Sequence, residues 1–96
     1  MPQVRFAPSA VLDLQRLREL LRPHNPLAAQ RAGQTIIKAV QVLGLQPHIG
    51  RPIVEMPDEF REWVIDFGDT GCVARYRIEG DAVTILTVRH QRDVGG

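Results

Sequence analysis

The hydrophobic pattern of the last third of the chain predicts a three-stranded antiparallel meander. Apolar and polar residues alternate along Phe60–Phe67 and again along Cys72–Ile78, which is the period of a half-buried strand. Turn-forming residues follow each run, at Gly68–Gly71 and at Glu79–Asp81. The third run, Ala82–Val88, is rich in β-branched residues and leaves neither face polar, a pattern typical of a strand covered on both sides. Because three short strands are not stable alone, N-terminal elements must cover them.

Upstream of the meander, apolar residues recur every three or four positions and predict a first amphipathic helix. Its apolar face is formed by Ala10, Leu14, Leu17 and Leu21, joined by Val11 and Leu20. Ser9 is the expected N-cap, and Asp13 is expected in the first turn, near the positive end of the helix dipole. Pro23 ends this helix, since proline lacks the backbone N–H that a continuing helix needs.

A second helix is predicted over Pro26–Leu43, with Asn25 as its N-cap and Gly44 just after its last turn. Its buried stripe comprises Ala29, Ala32, Ile36, Val40 and Leu43, widened by Ile37 and Ala39. Alanine and glycine recur between Ala28 and Gly33, which lets the first helix approach closely. The two helices are therefore expected to form an αα-hairpin that lies on the sheet.

The remaining segments complete an α+β domain. Gln3–Ala7 is predicted to be an edge strand that pairs with the meander, with Arg5 facing solvent. Two prolines and a glycine make Gln46–Pro52 a stiff connection, and Ile53–Pro57 is predicted to be an irregular extended piece. The resulting order is β-α-α-β-β-β, an antiparallel sheet with the αα-hairpin on one face, in a single domain over residues 1–96.

Charge is distributed unevenly, although the formal net charge is only +1. Residues 1–50 contain six basic and two acidic side chains, and residues 51–96 contain six basic and nine acidic ones. The single cysteine, Cys72, excludes an internal disulfide and lies in an apolar strand, so it is interpreted as a core residue. Neither a signal peptide nor an apolar run long enough to cross a membrane is recognisable, so a cytoplasmic protein is expected.

The sequence contains no recognisable metal or cofactor motif. The three histidines, His24, His48 and His90, are far apart, and none has a second ligand at helical or loop spacing. A glycine-rich phosphate loop and a serine or cysteine nucleophile signature are also missing. The acidic residues before the meander, Asp58, Glu59 and Glu62, are interpreted as a solvated rim.

The basic residues of the meander are the candidate site, namely Arg61, Arg75, Arg77, Arg89, His90 and Arg92. Antiparallel pairing would bring Arg61 near Arg77, and would bring Arg89 and His90 near Cys72 and Val73. One interpretation is a surface that binds phosphate or acidic groups. The other is ordinary arginines that pair with Glu62 or Asp66 on neighbouring strands. His90 also has the titration range of a general acid or base. Trp63 and Phe67 are interpreted as core anchors.

Several short motifs, in this order along the chain, carry a resemblance to a known superfamily. They are Leu45–Pro52 after the second helix, Phe60-Arg61-Glu62 at the start of the meander, Arg75-Tyr76-Arg77 in its centre and Val88–Arg92 at its end. Together with the order β-α-α-β-β-β, they resemble the RelE/ParE superfamily of toxins from bacterial type II toxin–antitoxin, or plasmid-stabilisation, systems. The resemblance covers essentially the whole chain.

The resemblance implies a cytoplasmic toxin that arrests growth and is neutralised by a cognate antitoxin. An acidic antitoxin segment that folds on binding would suit the basic helical hairpin. RelE-like members are ribosome-dependent mRNA endonucleases that use basic side chains and often a C-terminal tyrosine. ParE-like members share the fold, lack that catalytic set and inhibit DNA gyrase by binding.

Two departures from the ribonuclease pattern favour the ParE-like interpretation. The only tyrosine, Tyr76, lies in the middle of a strand, and Cys72-Val73 stands where ribonuclease relatives have a phosphate-binding arginine. The resemblance therefore implies a gyrase inhibitor with Arg89, His90 and Arg92 near the contact surface. Two alternatives stay open: an mRNA endonuclease with His90 as acid or base, and an inactive relative that only binds the antitoxin.

Overall fold

The computed structural model describes residues 3–23, 25–67 and 70–90. The helices are α1 (Pro8–Leu21), α2 (Pro26–Val40) and the single-turn α3 (Val42–Leu45), followed by a 3₁₀ turn at Pro47–Ile49. The strands are β1 (Gln3–Phe6), β2 (Arg51–Pro52), β3 (Phe60–Phe67), β4 (Thr70–Glu79) and β5 (Ala82–His90). None of the described helices is long and apolar enough to cross a membrane.

The five strands form one sheet in the order β1-β5-β4-β3-β2. β3, β4 and β5 are the predicted antiparallel meander, and β1 is the predicted edge strand, which runs parallel to β5 with Arg5 exposed. The α+β class is therefore confirmed. β2 was not predicted as a strand: it pairs with the start of β3 through Arg51 and Pro52, inside the segment interpreted as a stiff connection.

The core lies between the helices and one face of the sheet. On the sheet side it is formed by Ile65, Cys72, Ala74, Tyr76, Val83, Ile85 and Val88, and on the helix side by Ala10, Leu14, Leu17, Ile36, Val40 and Leu43. These residues recur every two positions in the strands and every three or four in the helices, which confirms most of the predicted apolar faces. Val11 and Leu20, expected to join the apolar face of the first helix, are exposed. Trp63 packs against this cluster and Cys72 lies inside it, as expected.

The start of α1 differs from the prediction. The helix begins at Pro8, and Ala7 occupies the N-cap position without a side-chain hydrogen bond. The Ser9 hydroxyl instead donates to the Leu86 carbonyl at 2.7 Å, and an Asp13 carboxylate oxygen accepts from the Val88 N–H at 3.0 Å. Because β1 ends at Phe6, these two side chains satisfy backbone groups of β5 that have no neighbouring strand.

The end of α2 also differs from the prediction. The helix ends at Val40, the chain bends at Gln41, and Gly44 lies buried inside α3 instead of following the last turn of a longer helix. Ile37, expected to widen the buried stripe, is exposed. The cap at the other end of α2 is confirmed, since the Asn25 side chain accepts from the Ala28 N–H at 3.0 Å.

A β-bulge in β5 explains its continuous apolar pattern. Arg75 of β4 is opposite Thr87 and Tyr76 is opposite Ile85, so Leu86 is an extra residue on β5. The core face of β5 therefore changes from odd positions before the bulge to even positions after it. The prediction of a strand covered on both faces was wrong, because the helices cover one face and the bulge shifts the alternation.

Of the two predicted turns, the second is confirmed at Gly80 and Asp81, where Gly80 has a φ of 59°. Only glycine adopts this left-handed conformation without steric cost. For the first turn, Thr70 and Gly71 already belong to β4, and residues 68 and 69 lie outside the described ranges.

Candidate functional site

The face of the sheet opposite the helices carries a concave surface of about 500 Å³, here called the outer cavity. Its lining residues are Ile53, Met56, Phe60, Val73, Arg75, Leu86, Thr87 and Arg89. The strand residues among them alternate with core residues, and the bulge adds Leu86 beside Thr87 on this side. Ile53 and Met56 come from the connection between β2 and β3, which forms one wall. The result is an apolar floor with two arginines.

Arg75 and Arg89 are the two predicted site residues that share this cavity. Thr87 pairs with Arg75 and Val73 pairs with Arg89, so the two arginines are diagonal neighbours on adjacent strands. Diagonal neighbours on one face lie within reach of long side chains. Both residues are exposed, and the sheet therefore brings two guanidinium groups to one concave surface.

Glu62 joins Arg75 to the edge of the sheet. One oxygen of its carboxylate accepts from Arg51 Nε at 2.6 Å, and the other lies 3.5 Å from Arg75 Nε. The Glu62 side chain is only 14% exposed, so this carboxylate is not part of a solvated rim as predicted. The predicted alternative, in which Arg75 pairs with Glu62, is therefore present in the structure.

Arg77 lies beside the outer cavity and is not among the residues that line it. Its guanidinium carbon is 5.4 Å from the centre of the Phe60 ring, within the range of a cation–π contact. Its terminal nitrogens lie 3.7 Å from the Glu59 carboxylate and 3.5 Å from that of Glu79. Arg77 thus packs on the floor residue Phe60 and is surrounded by acidic groups.

Arg61 lies on the opposite face of the sheet from Arg75 and Arg77. The register pairs it with Tyr76 and pairs Arg77 with Phe60, so the expected closeness of Arg61 and Arg77 holds for the backbone and not for the side chains. The Arg61 side chain is 12% exposed. It donates to the carbonyls of His48, Gly50 and Asp58 at 3.0–3.2 Å and to the Asp58 carboxylate at 2.8 Å. Its guanidinium therefore fixes the connection before β2.

Tyr76 fixes the same connection from the core. Its hydroxyl donates to the Pro47 carbonyl at 2.5 Å and accepts from the Gly50 N–H at 3.0 Å. Burial raises the pKa of this hydroxyl above its ordinary value, although the Gly50 hydrogen bond and the charge of Arg61 act in the opposite direction. A Cβ at Gly50 would lie 2.7 Å from the Glu62 carbonyl oxygen, so only glycine fits there. Sequence reasoning placed Tyr76 in the core and missed this role.

His90 is buried on the helix side of the sheet, with 7% of its surface exposed. The predicted neighbours are confirmed, because His90 pairs with Cys72 and Arg89 pairs with Val73. The side chains of Arg89 and His90 nevertheless lie on opposite faces of the sheet. The cleft below α1 has a volume of about 280 Å³ and is lined by Asp13, Arg16, Leu17, Leu20, Val88, Arg89 and His90, so Arg89 borders both this cleft and the outer cavity. Arg92, the remaining predicted site residue, lies outside the described residues, as does His24.

The other candidate chemistry can be placed within the same ranges. Burial raises the pKa of the Cys72 thiol to about 12, which agrees with a core residue and not with a reactive thiol. No group of three histidine, cysteine, aspartate or glutamate residues that could hold a metal ion occurs among the described residues. The side chain of Phe67, predicted as a core anchor, lies outside what is described.

Comparison with known proteins gives concordant matches over almost the whole chain. The family model of the ParE toxin of type II toxin–antitoxin system, parDE, matches residues 4–95. Toxin RelE3 of Caulobacter vibrioides is 36% identical over 90 residues, which are 94% of this chain and 95% of that protein.

Two solved structures share the fold. A chain of the chromosomal ParDE TA system from P. aeruginosa matches with a TM-score of 0.76 and 24% identity, over 94% of this chain and 96% of that one. A chain of the RelBE2 toxin–antitoxin complex from Mycobacterium tuberculosis matches with a TM-score of 0.56 and 22% identity, over 95% and 100%.

Proposed function

The chain belongs to the ParE toxin family of type II toxin–antitoxin systems, within the RelE/ParE superfamily, and from this premise we propose that it inhibits DNA gyrase by binding. In this proposal the toxin catalyses no reaction of its own. Its contact surface is the outer cavity with Arg75 and Arg89, and Arg77 lies at the border of that surface.

The observation that carries the proposal is the burial of His90 on the helix side of the sheet, on the opposite face from Arg75. A general acid or base must reach the proton that it transfers, directly or through one water molecule. His90 is 7% exposed in the cleft below α1, which Arg89 also borders, whereas Arg75 lies on the other face of the sheet. Tyr76 is also unsuited to this role, because its hydroxyl is buried and already bonded to Pro47 and Gly50. This arrangement suits a binding surface better than a ribonuclease site.

The charge around the outer cavity also supports a surface that binds a protein over a ribonuclease site. Residues 51–90 contain five basic and eight acidic side chains, so the sheet half of the chain has an excess of negative charge. Arg51, Arg75 and Arg77 each have a carboxylate within 4.0 Å. Proteins that bind nucleic acids depend on positive charge that is free to neutralise phosphates. A protein target such as gyrase makes no such demand.

We further propose that a cognate antitoxin covers the helical hairpin. The two related solved structures come from toxin–antitoxin systems. Residues 1–50 carry six basic and two acidic side chains, and Leu12, Leu20 and Leu27 are exposed on the helices. An acidic amphipathic segment would bury these leucines and neutralise the excess charge. In this arrangement the antitoxin and the target have separate primary surfaces.

A supercoiling assay with purified gyrase tests the proposed activity. The wild-type chain is expected to block supercoiling at micromolar concentration. An Ile36→Asp variant, in which a charge replaces a fully buried side chain, is the matched control because it should not fold. Unchanged supercoiling in the presence of folded wild-type protein would remove the proposal. In cells, induction without antitoxin should produce a DNA damage response before messages are lost.

The ribosome-dependent mRNA endonuclease remains a second candidate, favoured by the 36% identity to a protein named Toxin RelE3. Its test is primer extension on translated messages after induction. New cuts that disappear in His90→Ala, with the variant shown to be folded, would establish it in place of gyrase inhibition. Growth that continues normally after induction would instead indicate an inactive relative that only binds its antitoxin.

A further inference from the structure

We infer that the outer cavity binds a carboxylate flanked by apolar side chains on a partner protein, and that Arg89 selects this carboxylate. The inference rests on the proposed function and deepens it, because it names the chemistry of the target segment. It also assigns the central role to one residue out of the six basic ones in the meander.

Arg89 differs from the other arginines of this face in its electrostatic surroundings. Arg75 lies near Glu62, and Arg77 lies near Glu59 and Glu79. Arg89 is exposed and has no ion-pair partner among the described residues. Among the described acids none forms an ion pair with Arg89, so a carboxylate from a partner would displace none of them in binding there.

The floor of the cavity determines what should accompany the carboxylate. Phe60 and Leu86 are half-buried and form the apolar floor above the almost fully buried Val73, and Ile53 and Met56 add an apolar wall. An apolar side chain that covers this floor would exclude water from the ion pair and strengthen it. A free inorganic anion would gain the charge and leave the floor unused, so the fitting ligand carries both features.

Arg75 supplies a second cation, and its side chain lies near the Glu62 carboxylate. Glu62 bonds to Arg51 at 2.6 Å and lies 3.5 Å from Arg75, so Arg51 is its stronger partner. The Arg75 side chain is 48% exposed and is the diagonal neighbour of Arg89. Both arginines line the cavity, so each can offer a guanidinium group to an anion bound there. Glu62 thus positions Arg75 without fully neutralising it.

A polynucleotide is the less suitable occupant of this cavity. A nucleic-acid strand presents a series of phosphates, and each should meet a cation for tight binding. Only Arg75 and Arg89 line the cavity among the described basic residues; Glu62 lies 3.5 Å from Arg75, and Glu59 and Glu79 lie beside Arg77. Repulsion from these carboxylates would oppose a strand that extends beyond the two arginines.

A subtractive peptide selection tests the inference. Random twelve-residue peptides that bind the wild-type chain are passed over an Arg89→Gln variant, and those that it does not retain are sequenced and synthesised. We expect an acidic residue next to apolar residues in the sequenced peptides, which bind the wild-type chain and not the variant. Their affinity should fall about 10-fold or more for Arg89→Gln, since hydrogen bonds between charged groups are worth at least this factor.

The matched control is Arg5→Gln. Arg5 pairs with Thr84, which pairs with Arg77, so it occupies the same outer face and loses the same charge without lining the cavity. Affinity should be unchanged in this variant, and should fall when the acidic residue of the peptide is replaced by its amide. The inference is overturned if no peptide distinguishes the two proteins, if the selected peptides lack acids, or if a 20-nucleotide single-stranded RNA binds in an Arg89-dependent manner.

A supercoiling assay of the wild-type chain and Arg89→Gln distinguishes failure of this inference from failure of the proposed function. If Arg89→Gln inhibits supercoiling as well as the wild-type chain does, the inference is overturned and gyrase inhibition stands. If the wild-type chain does not inhibit gyrase while the peptide results are as expected, the carboxylate site stands and gyrase is not its source.

Discussion

On the face of the sheet that the helices cover, polar side chains are bonded to the protein itself. Arg61 and Tyr76 hold the connection before β2, and Asp13 satisfies a backbone group of β5. On the other face, Arg75 and Arg89 are exposed over an apolar floor. The same residue types thus stabilise the fold on one face and are available to a partner on the other.

The bulge at Leu86 decides on which face the last two described residues lie. Without an extra residue, strict alternation from Ile85 would put Arg89 in the core and His90 outside. With Leu86 as the extra residue, Arg89 lines the outer cavity and also borders the cleft below α1, in which His90 is buried. Adjacent residues of a strand lie on opposite faces in either case, and the bulge determines that Arg89, not His90, faces the outer cavity.

The largest expected difference in stability is between truncations of two consecutive residues of β5 that lie on opposite faces of the sheet. Ile85 is fully buried in the core, and Leu86 is half-buried at the outer cavity. Ile85→Ala should lower the free energy of unfolding by about 2–5 kcal/mol, because it leaves a cavity in a packed core. Leu86→Ala should cost about 1 kcal/mol or less. Urea denaturation of both variants measures the difference, and equal losses would show that both faces are covered.

Much of the division into a covered and an exposed face of the sheet could be predicted from the sequence, because strands and helices repeat their apolar residues at fixed periods. The meander, the hairpin stripes and the Asn25 cap all follow from such local patterns. The bulge could not be predicted, since a run such as Val83–Val88 is equally typical of a strand covered on both faces. The sequence also could not show that Arg61 bonds to three carbonyls, because these contacts join segments that pack together only in the folded chain.

The next effect concerns the connection that Tyr76 holds. Tyr76→Phe keeps the ring and leaves the Pro47 carbonyl and the Gly50 N–H without their partner. We expect a loss of about 1–3 kcal/mol in the free energy of unfolding, the usual cost of unsatisfied buried groups. Thr87→Val removes a hydroxyl from the outer face and is the matched control, with a loss below about 0.5 kcal/mol. Denaturation curves of equal midpoint would contradict a structural role for the tyrosine hydroxyl.

A smaller effect distinguishes two arginines that the sequence placed in one set. Arg61→Gln removes hydrogen bonds to His48, Gly50 and Asp58 and should lower the free energy of unfolding by about 1–2 kcal/mol. Arg89→Gln changes an exposed side chain and should alter it by less than about 0.5 kcal/mol. Thermal melts at one pH and salt concentration measure both. A larger loss in Arg89→Gln would reverse the assignment of the two residues.

The smallest effect at neutral pH concerns Cys72, which lies on the covered face. Burial raises the pKa of its thiol from 9.0 to about 12, so the folded chain resists ionisation that the unfolded chain allows. The stability contributed by the neutral thiol is complete below about pH 9 and is lost as the pH rises towards 12, by up to about 1.4 kcal/mol per pH unit. Denaturation of the wild-type chain and Cys72→Ala between pH 7 and about pH 10 isolates this slope from that of Tyr76, which both proteins retain. If the two curves stay parallel above pH 9, or if a thiol reagent labels the folded chain rapidly at neutral pH, Cys72 is not sealed in the core and the covered face is more open than the packing indicates.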